Sequence, residues 1–421
     1  MISLDTTRAD ALSMYGARHP TTPNLDALAG NGTRFAWALS PASSTLSSHA
    51  TVFTGLDPHG TQIVRNGYPL RPEVETLAER LSGAGYDTIG VLGSSALAKP
   101  MGIDQGFRIW NQKFSEKRAQ RNEARAEEVT TRALTTLGKR QAGKPVFLFV
   151  HYFDAHSPYA APAPWTHKWS EPGEGVDFGT KDGALNGLAN AVRDGTADPA
   201  DLRALHDNYL SEVSYVDSEV KRLLDGIDLS RTVVVVFGDH GEAFGEIRIR
   251  PFGHGMDLEM FETHVPLFLA GPGVPSGKVV DTPVGLIDVS ATALNLLGIA
   301  SNIGDSIDVS ALWSDTPAVW DRTWFLEATV PELKRGPPTW NNLGVERGVA
   351  KDGYLLLRSP FEDDVPRLYK IAQGQPAVQD DARRDAMTQL LTDWDAKAPP
   401  HREDQRSKET RAGLKALGYE E

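Results

Sequence analysis

Thr232-Val233-Val234-Val235-Val236-Phe237-Gly238-Asp239-His240-Gly241-Glu242 is the stretch whose reading decides the fold. An unbroken run of β-formers with no polar alternation reads as a parallel strand buried on both faces. It ends in a carboxylate and an imidazole side by side. In open α/β sheets the crevice beyond the strand carboxyl ends is where ligands bind. Asp239 and His240 placed there suit one divalent metal ion, although a capped acidic turn would have the same spelling.

Two segments repeat the theme. Ile2-Ser3-Leu4-Asp5 is a short apolar strand running into a second carboxylate, and Asp5 is also a reasonable N-cap. Ser43 to Gly55 reads as a helix with hydroxyl residues at its start and a glycine stop. Thr45 would lie in its first turn, where free amides and the helix dipole favour an alkoxide or a bound oxyanion.

In their order and spacing these pieces resemble the sulfatase family of the alkaline phosphatase superfamily. The likeness extends through Pro23-Asn-Leu-Asp-Ala-Leu28, Thr54-Gly55, Gly85-Tyr-Asp-Thr88, Phe153-Asp-Ala-His-Ser-Pro-Tyr159, His254-Gly255, Val265-Pro-Leu267 and Leu417-Gly-Tyr419. The resemblance implies a mostly parallel central sheet with helices on both faces. It also implies a catalytic domain over residues 1–320 and a small carboxyl-terminal α+β subdomain over 321–421. By the same likeness Asp5, Thr45, Asp239 and His240 hold one divalent metal. Thr45 is the nucleophile, and His156 and His254 bind substrate and serve as acid or base. His49, one turn after Thr45, is a further substrate-binding candidate. His59 and Asp154 are weaker candidates. The remaining histidines, including His151, read as structural or surface residues, and Arg8 as a partner of Asp5 or Asp239.

The chain also departs from the family pattern. Thr45, Ser47 and His49 stand where formylglycine sulfatases have Cys or Ser, Pro and Arg. The chain has no Cys, and Thr cannot be oxidised to an aldehyde, so no formylglycine is expected. Gly93-Ser-Ser-Ala-Leu-Ala98 replaces a signature that would supply a Lys and a His to hold sulfate. The usual double Asp is Asp5-Thr6, and His240 replaces an Asn. Imidazole suits Zn²⁺ or Mn²⁺ better than Ca²⁺. These changes favour phosphate esters over sulfate esters. The alternatives are a phosphoryl-group transferase of the phosphoethanolamine type, an arylsulfatase-type hydrolase, and a silent binding homologue.

Composition narrows the partners. The net charge of −13 argues against nucleic acid, leaving a small-molecule, lipid or sugar ester as substrate. No apolar run reaches membrane-spanning length and no signal peptide precedes the fold, so the chain as written reads as cytoplasmic. The shortness of the first strand leaves an upstream start open. Expected strands are 2–4, 88–92, 146–151, 232–237 and 265–269. Expected helices are 72–81, 122–137 and 208–224, with a surface loop over 160–200. After about residue 320, strands at 324–328, 348–350, 354–358 and 368–369 precede a helix at 382–396. The loop Thr339-Trp-Asn-Asn342 is read as surface.

Overall fold

The computed structural model describes all residues except 64, 115–121, 171–183, 315–319, 330–343, 360–364, 374–378 and 400–421. Thr339–Asn342, His401 and Leu417–Tyr419 therefore lie outside the described residues.

The valine run divides its side chains between two cores. Val234 and Val236 join one cluster and Val235 and Phe237 the other, as the two-residue period of a strand requires. Removing each such side chain from water contributes roughly 1.5–3 kcal/mol. Around this strand the main sheet uses β1 (Ile2–Leu4), β2 (Gly32–Leu39), β3 (Asp87–Val91), β4 (Ile109–Asn111), β5 (Val146–Tyr152) and β6 (Val234–Gly238). A short hairpin of β7 (Ala243–Phe244) and β8 (Phe252–Gly253) stands apart from it. The sheet resumes with β9 (His264–Ala270), β10 (Lys278–Val280) and β11 (Val284–Gly285). Its order is β10-β2-β9-β6-β1-β5-β3-β4, with β11 also on β2.

Helices cover both faces. α1 (Pro23–Gly30), α5 (Ala126–Leu137) and α7 (Pro199–Asp225) pack on the Val234/Val236 side. α2 (Thr45–Thr54), α4 (Leu77–Gly83) and α9 (Val289–Leu296) pack on the Val235/Phe237 side. Short α3 (Pro58–Thr61), α6 (Ala184–Asp194) and α8 (Met260–Thr263) lie in connections.

The sheet is mostly parallel, as expected, with one exception: β9 runs antiparallel to both β2 and β6. β2 was not among the expected strands, because its Gly-Thr-Arg-Phe-Ala-Trp-Ala-Leu lettering lacks a clean period. The helix expected from 72 begins only at Leu77, since Thr76 and Glu79 close a capping box there. The helix expected from 122 begins at Ala126, and the one expected from 208 begins nine residues earlier at Pro199, capped by Asp198. The 160–200 loop contains α6.

The carboxyl-terminal sheet is an antiparallel meander of β12 (Thr323–Thr329), β13 (Gly344–Lys351), β14 (Tyr354–Arg358) and β15 (Arg367–Lys370). Asp352 and Gly353, both at positive φ, make the tight turn between β13 and β14. One face packs α10 (Asp381–Asp395) through Met387, Leu391 and Trp394. The other packs Leu326, Leu355 and Leu357 against Leu39, Leu258 and Ile287 of the main body.

Candidate active site

β6, β1 and β5 lie side by side and parallel, with Leu4 in register with both Gly238 and Tyr152. Their next residues leave the sheet at one edge. The ladder runs one step further, as Asp5 N–H donates to Tyr152 O (2.9 Å) and Asp239 N–H to Leu4 O (3.3 Å). Two carboxylates distant in sequence thus meet at the strand ends, both fully buried. Gly241 makes the turn after them possible, because a Cβ there would sit 2.0 Å from Phe261 O.

α2 delivers Thr45 to the same point. It is buried along its whole length and stops at Gly55, where φ is +66°. Ser44 occupies the N-cap position, but its hydroxyl turns to Ser47 Oγ (2.9 Å) instead of capping a helix amide. Asn66 Oδ1 accepts the Leu46 amide (2.7 Å). The buried Nδ2 of Asn66 has no hydrogen-bond partner among the described residues.

Thr45 Oγ1 lies 3.3 Å from His240 Nε2. His240 Nδ1 donates to Gly241 O (2.9 Å), so Nε2 carries the free lone pair of the ring. Asp239 Oδ1 takes the amides of His240 (2.8 Å) and Thr6 (3.1 Å). Asp239 Oδ2 and Asp5 Oδ1 are buried with no hydrogen bond among the described residues. Burial pushes both carboxyls well above the usual range. The Thr45 hydroxyl eases this at Asp5, and the Asp5 charge adds to it at Asp239. Burial lowers His240 to about 3, which keeps it neutral. The ligand atoms of Asp5, Asp239 and His240 lie within 4.8 Å of one another. Two orphaned carboxylate oxygens and a neutral imidazole whose far nitrogen is tied to a carbonyl form a donor set that fits a divalent cation.

Across from them stand His156 and His254, with Nε2 atoms 3.2 Å apart. Each directs Nδ1 at a backbone carbonyl, Ser157 O (2.8 Å) and Ser43 O (3.2 Å) respectively. The His254 ring lies 4.3 Å from that of His240, and burial with that neighbour pushes its pKa well down. Glu212 braces the His156 loop by accepting the amides of Ala155 (3.1 Å) and Ala160 (2.9 Å). Ala155 is held there at φ +86°.

The structure thus brings Asp5, Thr45, Asp239, His240, His156 and His254 together. His49 is placed differently from expectation: its Nδ1 donates to Thr45 O (2.7 Å) and its Nε2 meets Ser3 Oγ (2.7 Å), so it faces the sheet and not the substrate side. Arg8 pairs with Asp10 (2.7 Å) and Glu246 (2.5 Å) instead of Asp5 or Asp239, because the turn after Asp5 carries it outward. His59 stacks on Trp394, at the carboxyl-terminal sheet, 3.4 Å between ring centroids. Asp154 is buried in the His156 loop.

Two residues were missed. His151 places Nε2 2.9 Å from Asp5 Oδ2; its signal was an imidazole near the carboxyl end of the otherwise apolar Val146–Tyr152. Asn66 had no signal, since only the fold brings it to α2. Thr6, in the place of a second Asp, sits at φ +47°, an uncommon conformation for a β-branched residue. Its amide supports Asp239, and its buried hydroxyl has no hydrogen-bond partner among the described residues.

Fold and site together describe an α/β domain with a buried carboxylate and histidine cluster that fits a divalent cation, beside a helix-borne hydroxyl. The chain belongs to the sulfatase family, whose sequence profile matches residues 1–299. It is 23% identical over 382 residues to an arylsulfatase of Clostridium perfringens, covering 73% of this chain and 76% of that one. It is 38% identical over 97 residues to a sulfatase of Formosa agariphila, covering 22% of this chain and only 18% of that one. Among solved structures, the phosphonate monoester hydrolase of Silicibacter pomeroyi superposes with a TM-score of 0.72 at 21% identity, covering 95% of each chain. A protein in complex with its substrate D-glucosamine-2-N,6-O-disulfate also gives 0.72, at 18% identity, covering 97% of this chain and 99% of that one.

Proposed function

We propose that this sulfatase-family hydrolase cleaves phosphate esters in preference to sulfate esters, with Thr45 as covalent nucleophile. The observation that carries this reading is the Thr45 hydroxyl, 3.3 Å from His240 Nε2 and beside Asp5, at the start of α2. A divalent ion on Asp5, Asp239 and His240, with Thr45 Oγ1 beside it, would favour the alkoxide of Thr45 and neutralise charge on the ester oxygens. The imidazole among the donors favours Zn²⁺ or Mn²⁺ over Ca²⁺. The known neighbours of this fold include a phosphonate monoester hydrolase, and no formylglycine precursor stands at position 45.

The remaining residues divide the work. Thr45 Oγ bonds to phosphorus as the bond to the leaving alcohol breaks. The Nδ2 of Asn66 and the first-turn amides of α2 other than that of Leu46 supply donors to the phosphoryl oxygens. His254 or His156 protonates the departing oxygen. Water then attacks phosphorus, its proton goes to the same pair, and the Thr45 oxygen leaves. The substrate class is a small-molecule, lipid or sugar ester.

The test is acid quenching during turnover of a p-nitrophenyl phosphate ester, followed by peptide mass analysis. A phosphoryl group on the Thr45 peptide is the expected outcome. Steady turnover in which no adduct forms at position 45, even in a variant with slowed hydrolysis, would remove Thr45 from the role.

A further inference from the structure

A buried polar group lies directly beneath the two carboxylates. Ser3, His49 and His151 are all fully buried in the surface between β1, β5 and α2, where Phe149 and Phe237 pack against His49. Parallel register puts Ser3 beside His151 on one face of the sheet, and Asp5, two residues on, follows Ser3 on that face. His49, His151 and Asp239 have ligand atoms within 4.8 Å of one another, which raises the idea of a second metal site.

The hydrogen bonds decide against it. Both ring nitrogens of His49 are engaged at 2.7 Å, with Thr45 O and Ser3 Oγ, so neither is available as a ligand. His151 Nε2 is engaged with Asp5 Oδ2 at 2.9 Å, while its Nδ1 is buried with no partner among the described residues. Asp5 keeps its other oxygen, Oδ1, without a hydrogen bond. That is the arrangement of an outer imidazole holding a ligating carboxylate, one oxygen inward and one toward the ion.

We infer that His151 is a positioning residue: its Nε2–H orients Asp5 and thereby sets the affinity of the Asp5, Asp239 and His240 site for a divalent cation. This rests on the metal centre of the proposed function but not on Thr45 chemistry or on phosphate preference. Outer partners of this kind typically set affinity by about 10- to 100-fold.

The experiment is titration of the full-length protein, stripped of metal, with Mn²⁺ and Zn²⁺ by calorimetry, with the melting temperature of each metal-free sample alongside. His151→Phe keeps the ring and loses the donor; His151→Gln places an amide N–H near the Nε2 position. Metal affinity should fall roughly 10-fold or more in the Phe variant and stay within about threefold of wild type in the Gln variant. Adding His151→Phe to Asp5→Asn should change affinity no further. If the Phe variant does not fold, His151→Asn, whose amide is too short to reach Asp5, replaces it with the same expectation. A merely structural histidine would lower the metal-free melting temperature and leave affinity untouched. That result, or an additive effect in the Asp5→Asn background, overturns the inference. So does a wild-type protein that binds neither ion, whereas failure of the Thr45 adduct test leaves these titrations intact.

Discussion

Thr45 is chemically ordinary, and the task proposed for it comes from its surroundings. A threonine hydroxyl in water is a poor nucleophile; here it meets a neutral imidazole and two crowded carboxylates at a helix start. Thr45→Val keeps the shape and loses the oxygen, so ester hydrolysis should drop by roughly 10⁴–10⁶-fold while part of the metal is retained. Thr45→Ser should keep substantial activity. Assay of both variants on one ester decides the matter, and wild-type turnover by the valine variant would end the nucleophile assignment. Asp239→Ala removes one of the three side chains proposed to hold the ion. Elemental analysis should find metal content sharply reduced, and unchanged content would contradict the ligand set. At this scale the lettering was readable wherever chemistry sits at a strand end. Asp5, Asp239 and His240 follow apolar runs, and the fold brings their ligand atoms within 4.8 Å of one another. His49 and His151 could not be sorted, since the direction of a side chain depends on which face α2 covers.

Helices and strands were legible where one periodic force dominates. The valine run gave a strand buried on both sides because every residue in it is apolar. β2 escaped because burial on a mixed sheet is set by its partner β9, which follows it by more than 200 residues. Helix starts slipped where a cap overrode the apolar stripe, as at Thr76 and Asp198. Contacts between elements give a further expectation. Asp217 on α7 holds the start of α1 by accepting the Leu25 amide (2.8 Å) and Asn24 Nδ2 (2.7 Å). Burial nevertheless raises its carboxyl from 3.8 to about 6. A carboxylate raised on folding adds stability below its unfolded value, and that contribution is lost as pH rises through the folded one. Wild type should therefore lose stability relative to Asp217→Asn between about pH 4 and pH 6.5. Denaturant melts across that window test it, and a difference that is flat or grows with pH would show that the hydrogen bonds outweigh burial.

Across the whole molecule, charge and site pull in opposite directions. The chain carries a net −13, so an anionic ester gains nothing from the overall field and must be held by local groups. In the proposed reading those groups are histidines and amides together with the ion, since Gly93–Ala98 carries neither the Lys nor the His of the missing signature. Among the described residues no helix is long and apolar enough to cross a membrane, and the carboxyl-terminal sheet packs directly on the main body beside Leu258. The family and the central strands β9, β6, β1, β5 and β3 were legible in the sequence, whereas β2 was not. The proposed choice of ester rests on a set of replaced residues, because pocket shape depends on loops that carry no periodic signal. One comparison tests that choice most directly: kcat/KM for a phosphate ester and a sulfate ester with the same leaving group, on one metal-loaded preparation whose Thr45 is verified by mass spectrometry. The expected result is a higher value for the phosphate ester with Thr45 unmodified; a clear preference for the sulfate ester by that same unmodified protein would contradict it.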